Sequence, residues 1–577
     1  MADWHWLKSE RLWLTLGGTT ALALLLAWAL VWQVDPLQVE SPPPDLPPVA
    51  SQHLDLIGSH QGQRRWRLQA QSAQFQGSRQ IFDQGAQGVF YSYGEARADS
   101  PEPLLSSQEL RWVAGYADYD AGQDLLTLRE QVTVTSPDGD ELVTAELRVQ
   151  PGQQLQLPTA FRLSSQQLEL AGEAGTFWVN DNRLEAQRGR LTWRDSQGDV
   201  VITADRIEYN RSTQVALGEG NLVIQQPGLH IQAPQGSYDR PRATSAVVGG
   251  VRLQERREIG SLLAQATTTR PSRPSESEEV TITADQLQYD RNTQIATGQG
   301  NLVIEQGATR LLAPQGTYKR RDSQSILVGG VRLEEPNRVL TAERMNGNHR
   351  DKIFLFEDNI RYRQEGEANP PEGATAELRR AATEVTAQQL LYNSATETAY
   401  FTGQVEFVQR GRKAKAKEAI VGPDRVILTG SVVLEQIQGD WLAQQAQDPE
   451  VQAALRQPTV IYAERVEIDP TTNDAQFWQD VVIVQANRAA EGDKATYSEA
   501  TQIMTLEAEN VPVLLCDRGD SQGIPGVTSL PGRDALDATC RGANRIRSRL
   551  ITLDMDKNTF AAVGQSSMQF RLDDSSL

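Results

Sequence analysis

Histidine and cysteine are scarce in these 577 residues. His5, His53, His60, His230 and His349 form no pair at metal-ligand spacing and have no cysteine neighbour, which leaves a zinc site without support. No metal and no cofactor is expected. Aromatic residues make up 6% and hydrophobic residues 39%, thin for several large cores, so an elongated β-structure with a narrow interior suits the length better. Basic charge is also in deficit. A net charge of −19 and a pI near 4.9 exclude nucleic acid as a partner, because phosphates would meet repulsion over most of the surface.

Catalytic signatures are missing too: there is no Gly-rich phosphate loop, no GxSxG elbow and no kinase-like set. Asp205 and Asp285 recur in equivalent places, but each follows an alanine at a strand end, where capping of a turn or bulge explains a carboxylate better than acid chemistry. The Gly249-Gly250 and Gly329-Gly330 pairs each precede a Val-Arg-Leu strand and read as turns. The expectation is a protein that is not an enzyme.

What the chain does have begins with an uncharged apolar run over residues 12–34, which as a helix reaches ~35 Å and can span a ~30 Å hydrocarbon layer. Lys8 and Arg11 precede it, Asp35 and Glu40 follow it, and tryptophans flank it, which predicts a cytoplasmic N-terminus. A cleaved signal peptide is the competing reading, but the apolar run continues past the loose Ala27-Trp28-Ala29 cleavage site. In an exported chain the two cysteines read as a Cys516–Cys540 disulfide closing the loop between them, and otherwise as two unpaired thiols. A Pro-rich stretch over 35–50 reads as a tether.

Beyond the tether the chain repeats itself. Val200-Val-Ile-Thr-Ala-Asp-Arg and Val280-Thr-Ile-Thr-Ala-Asp-Gln stand eighty residues apart, and the same offset relates Gly220-Asn-Leu-Val-Ile to Gly300-Asn-Leu-Val-Ile and Ala233-Pro-Gln-Gly to Ala313-Pro-Gln-Gly. The units are short alternating segments separated by turn formers such as Asn210-Arg-Ser-Thr, which predicts antiparallel hairpins. Leu222 and Ile224 share one face of a strand. The step from Ile202 and Ala204 to Ile207 and Tyr209 breaks alternation at Asp205-Arg206, where a bulge restores the inward phase. Residues 256–279 read as a flexible insertion. Weaker echoes at Val385 and Ile461 carry the pattern towards the C-terminus, and residues 441–456 have one apolar side at helical spacing. The basic run from Arg410 to Lys417 reads either as a contact for an anionic headgroup or partner, or as an edge strand blunted by lysines.

The Ala-Asp-x-x-x-Tyr-Asn/Asp pattern at Ala204 to Asn210 and Ala284 to Asp290, followed by Gly-Asn-Leu-Val-Ile, resembles the OstA repeat of the lipopolysaccharide-transport periplasmic family. The first part, with Trp66-Arg-Leu-Gln-Ala, Ala117-Asp-Tyr-Asp and Ser136-Pro-Asp-Gly behind an anchor, resembles its LptC-like membrane-anchored member. The resemblance implies an all-β fold: an elongated stacked antiparallel β-jellyroll (OstA/LptA-like) with one N-terminal transmembrane helix. The organisation that follows is residues 1–11 cytoplasmic, 12–34 transmembrane, 35–50 tether, 51–195 LptC-like jellyroll and 196–360 OstA-like repeats. A linker over 361–383 and a further OstA-like region over 384–577 complete it, with an inserted helix near 441–456 and a Cys-containing loop over 516–540.

The resemblance also implies a role: an inner-membrane, single-pass protein, mostly periplasmic, that accepts lipopolysaccharide from an ABC-type extractor. It passes the lipid along an apolar groove towards an outer-membrane translocon or a soluble bridge protein. Positions matching the motif become the lipid-groove candidates: Ile202, Ile207, Tyr209, Leu222, Ile224, Ile282, Leu287, Tyr289, Leu302 and Ile304. Whether that interior is open to lipid or packed shut is left even by the residues themselves. The alternative is an envelope scaffold with a closed β-core that binds protein or polysaccharide.

Overall fold

The computed structural model describes residues 49–60, 63–92, 108–150, 154–255, 279–366, 368, 380–436, 458–485, 488–518, 524, 526–554 and 559–570. The expected membrane span over 12–34, most of the tether, most of the 256–279 insertion, part of the linker and the helix near 441–456 lie outside them. No helix among the described residues is long and apolar enough to cross a membrane. Those residues are almost entirely β, and they fall into two compact units, Met1–Thr159 and Ala160–Leu577.

In the first unit, strands Val49–His60, Gln63–Gln76, Ala86–Ser92 and Gln108–Ala114 pair antiparallel in succession. Trp66 meets Tyr119 edge-on at 4.9 Å and Phe90 stacks with Trp112 at 5.7 Å, so a few large rings fill this interior. Arg79 pairs with the buried carboxylate of Asp118.

In the second unit, eighteen strands follow one another from Arg183–Trp193 to Arg488–Ser498, each paired antiparallel with the next. Strands Thr244–Glu255 and Val280–Asp290 pair directly, as do Val426–Gln436 and Thr459–Ile468, so intervening chain does not disturb the register. The predicted hairpins form. Asn210 Oδ1 accepts from the Thr213 N–H at 2.9 Å, and Asp290 Oδ1 accepts from the Asn292 and Thr293 N–H groups at 2.8 and 3.1 Å.

After the first pair, every pairing in this run shifts register near mid-strand, and the expected break beside Asp205 falls between Thr203 and Arg206. On alternate strands the shift is made by two consecutive residues with positive φ: Gly220-Asn221, Gly249-Gly250, Gly300-Asn301, Gly329-Gly330, Asp358-Asn359, Gly403-Gln404, Gly430-Ser431 and Gln479-Asp480. The glycine pairs at 249 and 329 are therefore not turns. They lie inside continuous strands, where two left-handed residues bend the strand and let inward side chains on both arms face one interior.

Asp205 and Asp285 belong to the same corners: Asn221 Nδ2 donates to Asp205 Oδ2 at 2.8 Å, and Asn301 Nδ2 to Asp285 Oδ2 at 2.9 Å. A Cβ on Gly300, at φ 72°, would stand 2.3 Å from Asp285 Oδ2, whereas one on Gly250, at φ 91°, would meet nothing within 4 Å. Gly300→Ala is expected to cost more stability than Gly250→Ala, about 2–3 kcal/mol against about 1 kcal/mol. Equal denaturation midpoints for the two variants would contradict this account of the corner.

The basic run is a correction. Arg412–Val421 is an interior strand, paired on both sides, with Ala414 and Ala416 facing in and Lys415 and Lys417 exposed. Opposite Lys415 stands Glu406, and opposite Lys413 stands Glu435, so its charge is partly matched across the sheet.

Both ends of the 516–540 segment lie in regular structure. Cys516 lies on strand Val513–Asp517, Cys540 ends the helix Gly532–Cys540, and the two are joined as a disulfide. The helix packs with Val527 and Cys516 over Val482, Val484 and Ala489. Strand Ala475–Gln485 is thus buried on both faces near its end, which explains its unbroken Val-Val-Ile-Val run.

Candidate functional site

Strand ends from opposite edges of the second unit meet along a seam, and the residues there are polar. Arg291, 7% exposed, holds Asp195 at 3.0 Å and donates to the Gly198 carbonyl at 2.7 Å. Glu255 accepts from Tyr318 Oη at 2.7 Å and pairs with Arg320 at 3.2 Å. Gln306 reaches His349 at 3.2 Å, and His349 meets Ser325 Oγ at 2.7 Å. That Ser–His contact offers no room for a substrate: Ser325 is fully buried, and the void beside the ring is about 40 Å³, space for about one water.

Further along, Tyr392 Oη donates to Glu335 at 2.9 Å. Arg338 bridges Tyr392 Oη at 2.9 Å and Glu397 at 2.6 Å. Burial works against the charge on Arg338, but the hydrogen bond to Glu397 and the nearby tyrosines outweigh it and hold the guanidinium protonated. Burial pushes Tyr362 up to about 12 and, with Glu335, raises Tyr392, so both rings stay neutral donors at physiological pH.

Sequence reading missed this seam. Its signal was present, since Tyr238, Arg240 and Glu255 recur as Tyr318, Arg320 and Glu335 at the same eighty-residue offset.

All ten groove candidates point inward and are packed shut. Ile202, Ile207, Tyr209, Leu222 and Ile224 are 0–4% exposed, as are Ile282, Leu287, Tyr289, Leu302 and Ile304. Trp193 sits between Tyr209 and Tyr238 at 5.8 and 5.2 Å and fills their layer. The open space lies elsewhere. A cavity of about 490 Å³ is floored by Val385, Phe407, Leu428, Leu434, Ile461, Phe477, Ile483, Met504 and Leu553. Arg338, Glu365, Glu397, Arg412, Lys413 and Glu435 stand at its rim. The volume lies within the roughly 300–1,000 Å³ usual for small-molecule sites.

The reason for the space is legible strand by strand. By corner register, Leu311, Gly316 and Tyr318 of one strand correspond to Ala414, Ala419 and Val421 of another. Alanine replaces leucine, and valine replaces the tyrosine whose hydroxyl closes the seam on Glu255. Opposite cations and carboxylates at the rim nearly cancel, so the cavity selects for apolar matter more than for charge.

These features define a class: a stacked antiparallel β-jellyroll with an apolar cavity at its seam. Residues 281–444 and 384–559 match the family described as LptA/(LptD N-terminal domain) LPS transport protein. The matched span contains every residue lining the cavity. Among solved structures, LptH of Pseudomonas aeruginosa, described as the LptA homologous periplasmic component of the conserved lipopolysaccharide transport device, is similar. It is 18% identical, with 23% of this chain and 86% of that one covered and a TM-score of 0.20. No curated protein matches the chain.

Proposed function

We propose that this protein is an inner-membrane-anchored, largely periplasmic bridge component. It receives lipopolysaccharide from an ABC-type extractor and passes it along its jellyroll interior towards the outer membrane, by binding alone and without covalent chemistry. The apolar cavity inside the stretch matched to lipopolysaccharide-transport proteins is the observation that carries this reading. Burying acyl chain is worth about 0.8 kcal/mol per CH₂, so such a cavity holds tails that water would reject. The LptC-like role of the first unit and the anchor over 12–34 rest on the sequence resemblance.

The far end of the second unit suits onward transfer. Strands Thr559–Val563 and Ser567–Gln569 pair on one side only among the described residues, and Phe560, Val563, Met568 and Phe570 are exposed there. An open, apolar sheet edge is suited to extension by a partner strand.

A photoreactive residue placed in cells at Phe407, Ile461 or Ile483 is expected to give lipopolysaccharide adducts, with far weaker ones at the packed Leu222 and Leu302. Absence of lipid adducts at all three cavity positions would overturn the transport reading. The second reading, a scaffold with a closed core, is favoured by the tight packing around Leu222 and Leu302. It predicts that depletion leaves lipopolysaccharide delivery intact, whereas transport predicts its accumulation in the inner membrane.

A further inference from the structure

The cavity has one rigid end and one soft end. It crosses neighbouring strands from Ile353–Gln364 to Arg488–Ser498, and at ~4.8 Å per strand it is on the order of 30 Å long. Three rings stand near the first end: Tyr362 on the first of these strands, and Phe401 and Phe407 on Thr398–Gln409, two strands on. Tyr362 meets Phe401 edge-on at 5.6 Å, and Phe401 meets Phe407 at 6.2 Å. Tyr362 and Phe407 face the cavity; Phe401, fully buried, lies behind them, with Phe356 and Leu390 equally buried in the same core. At the opposite end the lining passes to Met504 and Leu553, flexible side chains that yield to a neighbour. T-shaped rings are locked by one another and do not yield.

We propose that the Tyr362–Phe401–Phe407 cluster is a stop against which an acyl chain registers, so that it sets the chain length the cavity prefers. This rests on reading the cavity as an acyl site. The occupant is a saturated hydrocarbon tail: the floor is apolar, and the rim charges nearly cancel, leaving the polar head in water. Up to the stop, each added carbon buries one more CH₂ and tightens binding about fourfold. Past it, an added carbon either projects into solvent or strains the rings, and the gain ends.

The test uses the full chain and saturated fatty acids of increasing length, each below its critical micelle concentration, competing with a fluorescent fatty-acid probe. In the unmodified protein, affinity is expected to rise steeply with length and then level off. Phe407→Leu and Phe401→Leu should each move that break to longer chains by about one carbon, the space a ring gives up to an isobutyl group. A single cooperative thermal transition in each establishes that both variants are folded. A break that stays in place in both folded variants, while affinity is kept, overturns the stop. No saturable binding of any length to the unmodified protein overturns instead the acyl reading beneath it.

Discussion

Arg338→Ala is expected to cost about 3 kcal/mol locally and to loosen the seam beside the cavity. Arg338 and Glu335 are 18% and 13% exposed, and the substitution leaves Glu335 held by the Tyr392 and Thr309 hydroxyls without the guanidinium. Removing one member of a buried pair typically costs 3–5 kcal/mol, because the other charge stays desolvated. The lower figure applies here, since Glu397, the closer carboxylate, is 58% exposed and screened by water. Hydrogen exchange should accelerate in Arg338–Asn348 and Thr383–Asn393 and remain unchanged in Val200–Asn210, several layers away. A loss below about 1 kcal/mol would make this an ordinary surface pair rather than a latch.

Loss of the disulfide is expected to have a comparable effect at the other end of the cavity. Cys516 and Cys540 are 24 residues apart, and opening a loop of that size costs about 3 kcal/mol in the chain-entropy account. The consequence should be confined to the helix Gly532–Cys540 and the surface it covers. Val482 and Val484 lie under that helix, while Ile483, between them on the same strand, faces the cavity. The paired Cys516→Ser and Cys540→Ser substitutions should therefore expose one face of strand Ala475–Gln485 and loosen Ile483 on the other. Unaltered exchange protection in 475–498 after both substitutions would show that packing alone holds the helix. The rest of the stack should be indifferent, because each strand contacts chiefly its neighbours.

Much of the fold was legible because alternation is a local property. The inward set Ile202, Ile207, Tyr209, Leu222 and Ile224 follows from period two plus one break, and the structure buries all of it. The turns at Asn210 and Asp290 were legible for the same reason, since a side-chain oxygen bonding amides two or three residues on is local chemistry. Gly249-Gly250 was not. Two glycines allow a turn or a bend within a strand, and only the pairing of Val248 and Val251 with strand Val280–Asp290 settles which one forms. The run from Arg410 to Lys417 misled because its charges drew attention from the alanines between them. Both alanines, Ala414 and Ala416, are buried, and Ala414 lines the cavity.

The seam and the cavity depended on tertiary structure for a physical reason. Glu255 meets Tyr318 and Arg320 over 60 residues further along the chain, and Glu335 meets Tyr392 at a separation of 57. No local pattern signals such a contact. By itself the sequence determined a repeated antiparallel β-stack, which residues face inward, and a net acidic charge. Only the rolled structure decided where that interior is full and where it is empty. Filled volume is a sum over side chains brought together from distant strands, and the sum falls short where Ala414 and Val421 stand in the places of Leu311 and Tyr318.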